Sequence, residues 1–260
     1  MTYCLAINVN EGLVFCSDSR TNAGTDNVSV YSKMHTFAWP GNRSFVLLSA
    51  GNLATTQAVV KKLNSDIPNS LVPNLLTINS MQEAADYIGL ISTEVQKAHA
   101  CRDTSNTNFE ATFIFGGQIG SAPPEIFMVY PQGNYIHESR EHPFLQIGEI
   151  KYGKPILDRV IKRDVLIERA ARCALVSMNS TVRSNVTVGP PIELLVYRKG
   201  SLDAGRHCVY GEDDPFARTL SERWNEGLMQ ALQGLPPFPW EAESPAGDED
   251  GRIYNFPSHP

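Results

Sequence analysis

The first 33 residues constrain this chain more than any other stretch. Thr2–Val9 and Leu13–Ser19 are apolar at nearly every position, and only Asn10-Glu11-Gly12 separates them. Runs of that kind suit strands covered on both faces. A tight turn with Gly12 free to take positive φ joins them as a hairpin. A third strand, Lys33–Trp39, follows. A carboxylate on a buried strand is costly unless paired, so Asp18 needs a partner, and Lys33 is the obvious one. Thr2 stands directly behind the initiator Met. With Met1 removed, Thr2 carries a hydroxyl and a free amine on adjacent carbons, and can act as its own nucleophile and base. Asp18 and Lys33 are then expected to tune it.

The rest of the chain reads as blocks of strands and helices. Phe45–Ala50 is a strand, and Gly51-Asn52 turns it into a helix with Leu53, Gln57, Val60 and Leu63 at helical spacing. Asn52 is its expected N-cap. A glycine at such a turn lets backbone approach a ligand closely. Its N–H lies at the positive end of the helix, which suits an oxyanion. A second helix runs from Met81 to about Ala100 behind Ser80, its stripe formed by Ala84, Ile88, Ile91, Val95 and Ala98. Strands follow at Phe109–Phe115, Glu125–Val129, Asn134–Glu138 and Leu145–Ile147, then helices at Pro155–Ile161 and Val165–Met178. Two more strands, Ile192–Arg198 and Arg206–Tyr210, precede a last helix opening at Asp214-Pro215. Thr21 to Ser29 is polar, contains Ala23-Gly24 and reads as a loop beside the site. Blocked helices and strands indicate a layered α+β fold rather than a doubly wound parallel sheet. Residues 1–234 are expected to form one domain. The Pro-rich, acidic tail 235–260 is either disordered or an assembly arm.

Several functions are disfavoured. A net charge of −6 argues against nucleic acid and anionic membrane as partners. No apolar run approaches the ~18 residues of a membrane span, and no basic n-region marks a signal peptide, so a cytoplasmic location is expected. The five cysteines are odd in number and scattered, without metal-ligand spacing, so reduced thiols are expected, with no metal and no cofactor. Cys4 sits mid-strand and is read as core packing. His35 is read as a partly buried strand residue. No Gly-x-Ser-x-Gly elbow, Walker loop, dinucleotide fingerprint or His-Glu-x-x-His occurs.

Thr2, the block from Gly12 to Arg20, Lys33 and Ser49-Ala50-Gly51 together resemble a proteasome β-type subunit. Asp18-Ser19-Arg20-Thr21-Asn22-Ala23-Gly24 and Gly148-Glu149-Ile150-Lys151-Tyr152-Gly153-Lys154-Pro155 are closer still to the bacterial proteasome-like Anbu family. The similarity runs from Thr2 to about residue 235. It implies the four-layer αββα sandwich of N-terminal nucleophile hydrolases and a threonine peptidase or amide hydrolase. Thr2 would attack, its amine or neutral Lys33 would take the proton, and the Gly51 N–H would hold the oxyanion. Asp18 would position Lys33. A peptide or protein substrate would pair as an extra strand at Thr21 and Asn22, beside Ser49.

Two departures from the proteasome pattern stand out. Proteasomes place Ser where this chain has Glu149. For their Asp-x-x-Ser-Gly stretch, the nearest match here is Asn179 for the Asp and Ser184 for the Ser. Two alternatives stay open: a non-proteolytic amidase with the same nucleophile, and an assembled scaffold with little turnover, the second being the one that Glu149 and Asn179 point to. The resemblance also implies a homo-oligomer, as a ring or open spiral. It leaves an ATPase or co-encoded partner unidentified.

Overall fold

The computed structural model describes residues 1–22, 28–69, 71–103 and 107–241. β1 (Tyr3–Val9) and β2 (Gly12–Asp18) are buried at every position and pair antiparallel from Cys4↔Ser17 to Val9↔Gly12. Gly12 takes φ +150°, and the Tyr197 carbonyl of the next strand leaves no room for a Cβ there. The hairpin is the centre of a five-stranded antiparallel sheet, β10-β1-β2-β11-β12, completed by β10 (Phe144–Gly148), β11 (Ile192–Arg198) and β12 (Arg206–Tyr210). A second antiparallel sheet runs in chain order: β5 (Met34–Trp39), β6 (Arg43–Gly51), β7 (Ala111–Ile119), β8 (Glu125–Val129) and β9 (Tyr135–His137).

The loop expected over Thr21–Ser29 is instead bounded by two short strands. β3 (Arg20–Asn22) and β4 (Val28–Val30) pair antiparallel through Thr21↔Ser29. The Ala23-Gly24 part of that expectation lies outside the described residues.

Strand alternation sorts the side chains into three apolar layers. Tyr3, Leu5, Ile7, Val14 and Cys16 point to one side of the first sheet, onto α3 (Lys154–Val160) and α4 (Ile167–Ser184). Cys4, Ala6, Leu13 and Phe15 point to the other side, against Val46, Leu48 and Ile114 of the second sheet. The far side of that sheet offers Phe45, Leu47, Phe113 and Phe127 to α1 (Leu53–Asp66) and α2 (Met81–Ala100). Each such large side chain, taken fully out of water, contributes about 1.5–3 kcal/mol. The order of layers is helix, sheet, sheet, helix: the αββα sandwich.

α4 is longer than its apolar pattern predicts. Asn179-Ser180-Thr181 reads as a helix end, yet Thr181 faces the core and its hydroxyl donates to the Ser177 carbonyl at 3.1 Å. The helix therefore continues to Ser184.

The chain divides into two compact units, Met1–Ser221 and Glu222–Pro260. α5 (Pro215–Gln233) buries no residue. In the second unit the rings of Phe238 and Trp240 stack at 4.3 Å, beside a short 3-10 turn at Pro239–Glu241. Among the described residues no helix is long and apolar enough to cross a membrane.

Candidate active site

β10 positions the N-terminus. Its pairing with β1 sets Tyr3 opposite Gly148, and the next amide, of Glu149, donates to the Thr2 carbonyl at 2.8 Å. Gly148 takes φ +83°, and a Cβ there would strike that same carbonyl. Only glycine allows the approach. Tyr3 anchors the other side. Its N–H donates to Asp18 Oδ1 at 3.0 Å, and its buried hydroxyl shares a 2.7 Å hydrogen bond with Ser177 of α4. That hydroxyl also accepts from the Gln146 amide. Gly153, at the head of α3, leaves the space that Tyr3 and Ser177 fill.

Lys33 and Asp18 meet beside Thr2. Lys33 Nζ lies 2.7 Å from Asp18 Oδ1, and donates to the carbonyls of Arg20 at 2.7 Å and Met1 at 3.4 Å. Asp18 Oδ2 accepts from the Gly189 amide at 3.3 Å. Burial pushes the Asp18 carboxyl upward in pKa, and the Lys33 ammonium with the two amides pulls it back. The α-ammonium of the first residue is held below its ordinary value, by burial first and then by Lys33. Asp18 and Glu149 act on it in the opposite direction. Cys4 is no rival nucleophile, because burial holds its thiol pKa well above the usual range.

A cleft of about 370 Å³ opens over these groups. Met1, Thr2, Lys33 and Glu149 line one part of it, and Thr21, Ser49, Gly51, Leu53 and Thr56 line the rest. Gly51 ends β6 at φ +112°, where the Glu110 carbonyl excludes a Cβ. Asn52 follows as N-cap of α1, its side chain accepting from the Thr55 amide at 3.1 Å. Gly51 thus borders the cleft at the positive end of a helix. A larger groove of about 700 Å³ lies between α4 and β11–β12, away from Thr2 and Lys33. Among the described residues no group of three His, Cys, Asp or Glu side chains comes together as a metal site would require.

The fold is shared with solved structures. Anbu (ancestral beta-subunit) from Yersinia bercovieri superposes with a TM-score of 0.86 at 41% identity, covering 91% of this chain and 99% of that one. The chain belongs to the Anbu family. Anbu from Hyphomicrobium sp. strain MC1 matches at 42% identity and TM-score 0.82, covering 91% of this chain and 99% of that one. Pseudomonas aeruginosa Anbu, solved as a helical assembly, matches at 43% identity and TM-score 0.88, with 92% and 98% covered. No protein-family model and no curated protein matches. The fold is thereby that of a proteasome-like N-terminal nucleophile hydrolase.

In this Anbu chain, Thr2, Thr21, Lys33, Ser49, Gly51 and Glu149 border one cleft, with Asp18 buried behind Lys33. Asn22 ends β3. Ser184 and Asn179 do not join them. Ser184 is exposed at the end of α4, and the Asn179 side chain accepts from the Ser221 hydroxyl at 3.3 Å. The segment that reaches Asp18 is the next one, Asn185 to Gly189. Gly189 donates to the carboxylate, and Arg20 packs against Gly189 while its guanidinium donates to the Val186 carbonyl at 2.9 Å. The extra length of α4 explains the displacement, because it moves the loop past the residues first matched to it. Tyr3 and Gly189 were missed from sequence. A polar tip inside an otherwise apolar strand was the available signal for Tyr3.

Proposed function

We propose that this Anbu chain is an N-terminal threonine hydrolase of peptide or other amide bonds, active once Met1 is removed. The observation that carries this reading is the buried Lys33–Asp18 pair set beside Thr2 in an open cleft. Thr2 Oγ attacks the substrate carbonyl while the Thr2 amine takes the hydroxyl proton. Lys33, ion-paired with Asp18 at 2.7 Å, favours the developing alkoxide. The carbonyl oxygen becomes an oxyanion, which the Gly51 N–H receives. Collapse breaks the C–N bond, and the proton passes from the Thr2 ammonium to the leaving amine. Water, deprotonated by the same amine, then cleaves the ester and regenerates Thr2. Substrate backbone lies along β3 at Thr21 and Asn22, as β-augmentation would have it. Ser49 borders that path.

Retained Met1 blocks this chemistry, because an acylated Thr2 nitrogen is no base. The cleft lies near the low end of the ~300–1,000 Å³ typical of ligand pockets, which favours, as a second reading, small amides over long peptides with the same nucleophile. By analogy with the Pseudomonas aeruginosa assembly, the chain associates with copies of itself, in the cytoplasm.

Intact-mass spectrometry after treatment with an epoxyketone or a neutral β-lactone tests the reading. The expected product lacks Met1 and carries one adduct on Thr2. Processed protein that stays unlabelled would overturn it.

A further inference from the structure

The charges bordering the cleft do not balance. Lys33 is matched by Asp18 and by two carbonyls. Glu149 is not matched in the same way. Among the described residues no hydrogen-bond donor reaches its carboxylate. Its one ion partner is Lys151 Nζ, at 3.8 Å, longer than the ~2.7–2.9 Å of a charge-assisted hydrogen bond. Lys151 is 68% exposed, and its ammonium also lies 5.0 Å from the centre of the Tyr152 ring. Such a partner offsets little of the charge. The Glu149 side chain is only 14% exposed and stands on backbone pinned to the Thr2 carbonyl. It is a fixed, partly desolvated anion beside the nucleophile. The remaining walls, Leu53 among them beside Thr21, Ser49, Gly51 and Thr56, are uncharged.

Resting on the Thr2 reading above, we infer that the substrate carries an ammonium or guanidinium group within reach of Glu149, close to the scissile amide. A lysine- or arginine-bearing peptide, or a smaller amine-bearing amide, fits this description. A neutral or acidic group at that position leaves Glu149 unpaired or repels it. The same carboxylate acts on the Met1 amine in the direction of its charged form. On the processed chain it is expected to act likewise on the amine of Thr2, whose carbonyl its own amide holds at 2.8 Å. A cation arriving on the substrate screens Glu149 and releases the amine as base. Selection is therefore expected in kcat as well as in KM.

The test uses the full-length, processed protein and fluorogenic peptides in which lysine replaces norleucine at one position at a time, on either side of the cleaved bond. At one position lysine should raise kcat/KM about tenfold or more, the scale of one charge-assisted contact. Glu149→Gln should bring that ratio close to one, and Lys151→Ala should raise it. A neutral β-lactone should label Thr2 to completion in the parent and, at a rate no lower, in Glu149→Gln, because the variant's amine is freed at lower pH. Complete labelling shows that the variant is folded and its nucleophile competent. If the lactone labels the parent but lysine and norleucine peptides are cut alike, or the preference survives Glu149→Gln, the cation inference falls and the threonine reading stands. If the lactone leaves the processed parent unlabelled, both fall.

Discussion

Lys33 Nζ lies 2.7 Å from Asp18 Oδ1, and the Asp18 side chain is wholly buried. Each charge depends on the other. Removing the ammonium leaves the carboxylate with only the amides of Tyr3 and Gly189. Lys33→Ala is therefore expected to abolish turnover and to cost about 3–5 kcal/mol of stability, the usual penalty for a stranded buried charge. Asp18→Asn combined with Lys33→Met removes both charges, so it should recover most of that stability and none of the activity. Denaturant melts and turnover assays on both variants separate the two effects. Parent-level hydrolysis by the double variant would reduce the pair to a structural tie.

Met1 removal is the second expected outcome. The Met1 carbonyl accepts from Lys33 at 3.4 Å, so the residue engages the Lys33 ammonium as well as acylating the Thr2 nitrogen. Intact-mass measurement of an active preparation should show Thr2 as the first residue. Quantitative retention of Met1 alongside full activity would exclude the Thr2 amine as base.

Tyr3→Phe tests what holds the nucleophile in place. The missing hydroxyl would leave Ser177 Oγ and the Gln146 amide without that partner in a closed site. Unsatisfied buried groups cost about 1–3 kcal/mol. A fall in stability of that size is expected, together with a lower kcat. A variant with unchanged stability would mean that water or a shifted side chain replaces the bond.

The legible parts of the site were those whose chemistry clashes with their local surroundings. Asp18 on a fully buried strand demanded a cation, and Gly51 stood where a strand turns into a capped helix. Such signals are local, and sequence carries them. Tyr3 gave a weaker one, because an aromatic residue in an apolar run looks like core, and its hydroxyl partners lie 143 and 174 residues away. The segment from Asn185 to Gly189 was hidden by α4. Polar Asn179-Ser180-Thr181 imitates a helix end, and only the buried Thr181 hydroxyl, which donates to the Ser177 carbonyl, shows that the helix goes on. The β3–β4 pair escaped because each strand is only three residues long, so pairing rather than periodicity defines them.

The pH dependence of kcat/KM reports the free enzyme's essential base, which in the proposed mechanism is the Thr2 amine. Its acidic limb marks where that amine loses its proton. An unperturbed α-amine titrates near ~8. For the Met1 amine, one residue away, burial and Lys33 lower that value and the Glu149 carboxylate raises it. The Thr2 amine exposed on processing is expected to feel the same two charges. Removing the carboxylate takes away a raising influence, so the amine becomes free at lower pH. Glu149→Ser should therefore move the acidic limb downward. Asn179→Asp should leave the limb where it is, because that side chain is engaged by Ser221 and does not border the cleft. Superimposed profiles for parent and Glu149→Ser would mean that the carboxylate does not act on the amine, and that Glu149 serves the site only through its backbone bond to Thr2.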